Sequence, residues 1–170
     1  MYRVYKYKSE WGDFMHIEQT KSPKILATLI QGTHEKFHEK YPHYFKPYEM
    51  SSAMRYFEDA IKDERNEFFV LYDLYDGNEM AGFIWAYVEE KEETPLTENT
   101  VTLYIKKVVV HPKHRNRGYG QHLIEFADEL AKKKGCQFIE VELWYLDENV
   151  VKFLRNRNFS IHKGIVWKEL

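Results

Sequence analysis

Between Thr100 and Lys134 a strand runs straight into an amphipathic helix across a turn that carries two glycines. The strand reads from Thr100 to Val110 and ends on three valines. His111-Pro112 stops it, and Gly118-Tyr119-Gly120 opens the helix. Leu123, Ile124, Ala127, Leu130 and Ala131 share one helical face, and Gly135 ends the helix, as a glycine just past the last turn does. A strand and a helix joined this closely bury their apolar surfaces together. The chain is therefore built as a sheet with helices laid on it.

The other elements agree. Phe14 to Thr20 reads as a short strand, and Ser22-Pro23 starts a helix, a capping hydroxyl followed by proline at the first helical position. Ile25, Leu26, Leu29, Ile30 and, less regularly, Phe37 follow helical spacing. Tyr41 to Met50 carries Pro42 and Pro47 and reads as a loop. Ser51 or Ser52 then caps a second helix through Met54, Phe57, Ala60 and Ile61. A strand from Glu67 to Leu74 turns at Asp76-Gly77-Asn78 into a returning strand from Met80 to Val88, and residues 89–99 form an acidic loop. After the central helix, Phe138 to Tyr145 is a strand with Ile139, Val141 and Leu143 on one side and Glu140, Glu142 and Trp144 on the other. Asp147 caps a short helix with Val150, Val151 and Leu154 on its apolar face, and Phe159 to Trp167 closes the chain as a strand. The order β-α-α-β-β-β-α-β-α-β is that of a mixed α/β sheet with helices on both faces.

At 170 residues the chain has room for one domain over 1–170, with 1–12 as an extra N-terminal strand or arm. Aromatic residues reach 16%, which argues against disorder. Cys136 is the only cysteine, so an internal disulfide and a cysteine-built zinc cage are excluded. No apolar run reaches the roughly 18 residues of a membrane helix, and the first residues carry no apolar signal core, so no membrane is expected and the location expected is cytoplasmic. A net charge of −2 argues against a nucleic-acid partner. The charge is uneven: residues 1–90 hold 11 Lys/Arg against 16 Asp/Glu, while Thr100 to Ile124 holds Lys106, Lys107, Lys113, Arg115 and Arg117 and no acid. Such a stretch is either a solvated basic face or a place where something anionic sits.

The turn itself favours an anion. The first backbone N–H groups of a helix have no internal partner and lie at its positive end. A glycine-bearing turn lets a ligand approach them, and Arg115 and Arg117 add charge suited to phosphate oxygens. The segment is not a P-loop, since no Gly-Lys-Ser/Thr follows. It is not a dinucleotide fingerprint either, since the third glycine and the later acid are missing.

Arg115-x-x-Gly118-x-Gly120 behind the three valines resembles the pyrophosphate motif of the GNAT superfamily of N-acetyltransferases. The stretch from Trp144 to Phe159 keeps the register of that family's short helix, N-x-x-A-x-x-F-Y, and of the G-F pair after it. The resemblance implies a GNAT fold, with a central mixed sheet of six to seven strands and a splay between strands 103–110 and 138–145. It implies acetyl-CoA as cosubstrate, no metal, and an amine acceptor. By its register, the backbone of Val108, Val109 and Val110 would pair with the pantetheine arm. The N–H groups of Arg115, Asn116, Arg117, Gly118, Tyr119 and Gly120 would hold the pyrophosphate, and Asp147 stands where the family places an asparagine against the cofactor. A homodimer is implied by family habit alone.

For transfer, the amine must lose a proton, since an amine of pKa about 10.4 is cationic at neutral pH. A backbone N–H near Val109 is the family's usual donor to the oxyanion. Glu142, five residues before Asp147, stands where some members place a general base, with Glu140 on the same strand face as its competitor. Where the family has a tyrosine as general acid this sequence has Leu154, so that mechanism does not carry over, and Tyr145 or a water would have to substitute. Asn158 replaces the glycine of the G-F pair and tolerates a positive φ. The function expected is N-acetyl transfer to a primary amine through a ternary complex. The alternative is a non-catalytic acyl-CoA-binding GNAT module acting as a sensor or partner protein. The acidic balance of residues 1–90 favours a cationic acceptor. In the family the first two helices and their loop line the acceptor pocket, which here gives the aromatic run from Tyr41 to Tyr48 that position. His34 and His38 are four apart on a helix, but without an HExxH core or a third ligand they do not make a zinc site.

Overall fold

The computed structural model describes residues 4–5, 15–143, 148–165 and 168. Its strands and helices are β1 (Val4–Tyr5), β2 (Met15–Gln19), α1 (Pro23–Lys40), α2 (Met50–Lys62), β3 (Glu67–Asp73), β4 (Glu79–Lys91), β5 (Thr100–Val110), α3 (Tyr119–Lys133), β6 (Phe138–Val141) and α4 (Glu148–Arg155). Among the described residues the strands form a six-stranded sheet in the order β1-β2-β3-β4-β5-β6. Every pair is antiparallel except β5 and β6, which α3 connects as a crossover. The extra N-terminal strand is present in the backbone of Val4–Tyr5. Among the described residues, no helix is long and apolar enough to cross a membrane.

Local signals set several boundaries. Ser22 Oγ accepts from the Ile25 N–H at 3.4 Å and Pro23 opens α1, as the residue types predict. Gly77 and Asn78 turn the β3–β4 hairpin with φ of 75° and 66°. His34 and His38 bolt the α1–α2 loop to α1: their ring nitrogens meet the carbonyls of Lys46 at 2.8 Å and Phe45 at 2.6 Å.

Four expectations are corrected. α2 begins at Met50, and Glu49 takes the cap position. Ser51 and Ser52 therefore lie inside the first turn, where their hydroxyls donate to the Glu49 carboxylate. β4 continues to Lys91, past Val88, because its partner β5 extends as far. β6 stops at Val141 where pairing with β5 ends, so Glu142 and Leu143 of the expected 138–145 are not strand, and Trp144 and Tyr145 lie outside the described residues. Phe159 to Ile165 carries no strand: Phe159 packs against the α3-side core, but residues 160–165 are exposed and present no buried face to the sheet; Val166 and Trp167 lie outside the described residues.

The sheet separates two cores. Phe69, Leu71, Ile84, Ala86, Leu103 and Ile105 face α3 and α4 and meet Leu123, Ile124, Phe126, Ala127, Leu130 and Leu154. Phe68, Val70, Phe83, Trp85 and Val109 face α1 and α2 and meet Leu26, Leu29, Ile30 and Phe57. In β5 the alternation breaks: Leu103 and Ile105 face α3, yet Val109 faces α1 and α2. The cause is a bulge. Ala86 pairs with Ile105 and Trp85 with Lys107, so Lys106 is an extra residue in β5. The bulge puts Tyr104, Lys107 and Val109 on one face.

Candidate functional site

After β5, a single turn of 3₁₀ helix from Pro112 to His114 leads into a loop with two left-handed residues, Asn116 (φ 61°) and Gly118 (φ 85°). Gly118 sits at the N-cap of α3, where a side chain would be strained. Among the described residues, the N–H groups from Asn116 to Gly120 have no backbone carbonyl partner. Left-handed residues alternating along such a loop turn successive N–H groups toward one concavity, and the helix end adds positive potential. The cradle therefore fits a diphosphate.

Asp73, the last residue of β3, lies beneath the cradle at 1% exposure. Its Oδ2 accepts from the Tyr119 hydroxyl at 2.5 Å, and its Oδ1 accepts from the N–H groups of Tyr75 at 2.9 Å and Asp76 at 3.3 Å. Burial pushes the Asp73 carboxyl up, but these hydrogen bonds and the nearby His114 ring outweigh it and hold the group below the usual carboxylate range. The Tyr119 phenol is pushed up to about 12 by burial and by Asp73. Arg117 Nη1 lies 2.8 Å from Asp76 Oδ2 and 3.7 Å from Asp73 Oδ2, and Arg115 Nε donates to the Val110 carbonyl at 3.4 Å. His114 is buried, with Nε2 3.2 Å from Glu79 Oε2.

Gly120 faces β5 and α4. A Cβ there would stand 3.7 Å from Val110 Cγ2 and 3.6 Å from Phe153 Cζ, so any longer side chain fills the gap between strand and helix. Arg157 fastens α4 in place: its Nη2 donates to Gln121 Oε1 at 2.8 Å and its guanidinium lies 3.9 Å from the Phe153 ring centre.

β5 and β6 pair only from Thr102–Phe138 to Ile105–Val141, with one further bond from the Glu142 N–H to the Ile105 carbonyl at 3.0 Å. Beyond it Val108, Val109 and Val110 pair with β4, and among the described residues no strand pairs with their other edge. That open edge leads directly to the cradle. Where it begins, the half-buried Glu142 accepts from the Tyr104 hydroxyl at 3.1 Å. Tyr104 stacks on Tyr87 with ring centres 5.1 Å apart. Burial, then the Glu142 charge, pushes the Tyr104 phenol up to about 12, and the same two causes raise Tyr56. Glu140 is engaged elsewhere, 3.2 Å from Lys163 Nζ.

Comparison with known proteins decides the family. The sequence profile of the acetyltransferase (GNAT) family matches residues 31–159. The chain belongs to the GNAT family. Solved structures align over nearly the whole chain: a tetramutant of the BH1408 protein of Bacillus halodurans is 18% identical with a TM-score of 0.81, covering 91% of this chain and 99% of that one. A possible acetyltransferase from Clostridium difficile 630 is 13% identical with a TM-score of 0.70, covering 93% and 98%. An aminoglycoside acetyltransferase from an uncultured soil metagenomic sample is 19% identical with a TM-score of 0.58, covering 92% and 97%. These likenesses are of fold.

Of the residues named from sequence, this GNAT structure brings together Val108 to Val110 and Arg115 to Gly120 along one continuous path, with Glu142 where the edge opens. Asp147 and Tyr145 lie outside the described residues. Leu154, where the GNAT tyrosine would stand, is 7% exposed in the α3-side core. Sequence reasoning missed Asp73 and Tyr104, and named Lys107 only as part of the basic stretch. Strand alternation with Leu103 and Ile105 was a signal for Tyr104. Nothing local pointed to Asp73, whose partner Tyr119 is 46 residues away.

Proposed function

We propose that this GNAT protein moves an acetyl group from acetyl-CoA to a primary amine by direct attack within a ternary complex. The observation that supports it is the open backbone edge of Val108–Val110 running into the N–H groups of residues 116–120, which have no backbone carbonyl partner among the described residues. When bound, the thioester supplies the acetyl group and a thiolate of pKa about 8.5 that leaves without strong acid assistance. The chain's own groups do the rest. The cradle N–H groups hold the diphosphate, and the open edge pairs with the amide-bearing arm as an added strand would. A backbone N–H of the open edge near Val109 donates to the developing oxyanion. Glu142 takes the amine proton, directly or through a water, and the Tyr104 hydroxyl orients its carboxylate. Asp147 remains assigned to the pantetheine arm.

Calorimetric titration of acetyl-CoA, with Gly120→Trp as control, tests this reading. Micromolar binding that disappears in the variant supports it. Absence of binding to the folded protein overturns it. The buried Leu154 favours a second reading, an acyl-CoA-binding module without turnover; thiol release across an amine panel separates the two.

A further inference from the structure

Two lysines stand side by side at the bulge of β5, and their surroundings differ. Lys106 lies with its ammonium 5.2 Å from the centre of the Trp85 ring, a cation–π contact. Lys107 pairs in register with Trp85 and therefore stands on the same sheet face, half-buried. Among the described residues, the carboxylates in ion pairs are taken by other cations, and none pairs with Lys107. Burial lowers its pKa, Glu142 opposes that shift and Lys106 adds to it.

Glu142 shares this face. Glu140 pairs with Tyr104 across β5–β6, and Glu142 follows it two residues on, its carboxylate on the Tyr104 hydroxyl. Tyr104 pairs with Tyr87 and Lys107 with Trp85, so one strip of sheet carries an acid, an unpaired ammonium and three aromatic rings. Tyr56 of α2 approaches from above, its ring centre 5.9 Å from that of Trp85. Glu142 acts on Lys107 only from beyond ion-pair distance; holding an ammonium half out of water without a contacting anion is unfavourable, and a bound anionic group relieves the cost. The strip already has an acid for an amine.

We propose that the acceptor is a primary amine that also carries a carboxylate, as a free amino acid does, with its amine at Glu142 and its carboxylate on Lys107. The inference rests on the proposed acetyl transfer and narrows its substrate class. Lys107 is a specificity-determining residue in this scheme. The bonds are those of ordinary acetyl transfer: the amine nitrogen forms a bond to the acetyl carbon, the carbon–sulfur bond breaks, and the amine proton goes to Glu142.

The test compares the common amino acids with their carboxamides, which keep the amine and lose the negative charge. Thiol release from acetyl-CoA is read for both sets, and amino-acid binding to the CoA-saturated protein is read by calorimetry. The expected result is a kcat/KM at least about tenfold higher for an amino acid than for its amide. That ratio should fall toward unity in Lys107→Gln and persist in Lys107→Arg, with circular dichroism confirming that both variants fold. Equal or better turnover of amides overturns the inference and leaves acetyl transfer standing. Amino-acid binding that Lys107→Gln abolishes, without thiol release in the parent protein, supports the Lys107 site and overturns the transfer reading. If no amino acid binds or is turned over, the inference is overturned.

Discussion

The Tyr119 hydroxyl hydrogen-bonds Asp73 Oδ2 at 2.5 Å, with both residues buried, and so joins the first residue of α3 to the last residue of β3. The cradle is thereby built from two distant parts of the chain. Tyr119→Phe removes the donor and leaves Asp73 to its backbone partners. A loss of about 1–2 kcal/mol in urea denaturation is expected, together with weaker acetyl-CoA binding. Unchanged stability would mean that the bond contributes nothing.

Asp73 also sets a pH dependence. Its folded pKa lies below an unfolded value of about 3.9, so its stabilising contribution is complete above that value and is lost as pH falls through the folded one. The stability difference between the parent protein and Asp73→Asn should be constant from about pH 5 to 7 and shrink below about pH 4. Denaturation curves at several pH values check this, and a difference that grows on acidification would contradict it.

The two glycines of the cradle separate under substitution. Gly118→Ala forces a side chain onto φ 85° and should cost about 1–2 kcal/mol of stability. Gly120→Ala meets Phe153 and Val110 only at ordinary contact distance, so its stability should change little. Thermal denaturation distinguishes them.

Glu142→Gln should lower turnover by about a hundredfold or more while leaving acetyl-CoA affinity within about twofold. Undiminished rates between about pH 6 and 9 would remove Glu142 as the base. The same substitution deletes the second cause of the raised Tyr104 pKa, so this phenol should titrate below about 12 while burial keeps it above its ordinary value. Carbon-labelled tyrosine in an NMR titration reads that change.

Leu154→Tyr writes the family's tyrosine back into the sequence, yet it should yield no gain in rate. The position is packed among α3-side residues, and the larger polar ring should cost about 1–3 kcal/mol. A rate increase over the parent protein would show that the hydroxyl reaches the site.

Elements with local causes were legible in advance. The Ser22-Pro23 start of α1, the Gly77-Asn78 turn, the run of β5 from Thr100 to Val110 and the stop of α3 before Gly135 each depend on a few consecutive residues. So does the cradle, because glycine at a helix start carries its own meaning. The α2 cap was misplaced because the helix starts at Met50, one turn position before the serines that carry the usual cap signal.

Local sequence therefore determined most of the strands and helices and the glycine-bearing turn that opens α3, since dihedral preference and side-chain periodicity act over a few residues. Tertiary structure alone decided the rest. The bulge at Lys106 exists because β5 must match the register of β4, and it turns Lys107 and Val109 onto the face that carries Tyr104. The end of β6 at Val141 opens the edge of β5, and the burial of Asp73 under Tyr119 fixes the cradle. These relations join residues dozens of positions apart, and they form only when packing two cores against one sheet fixes which strand edges pair and which stay open.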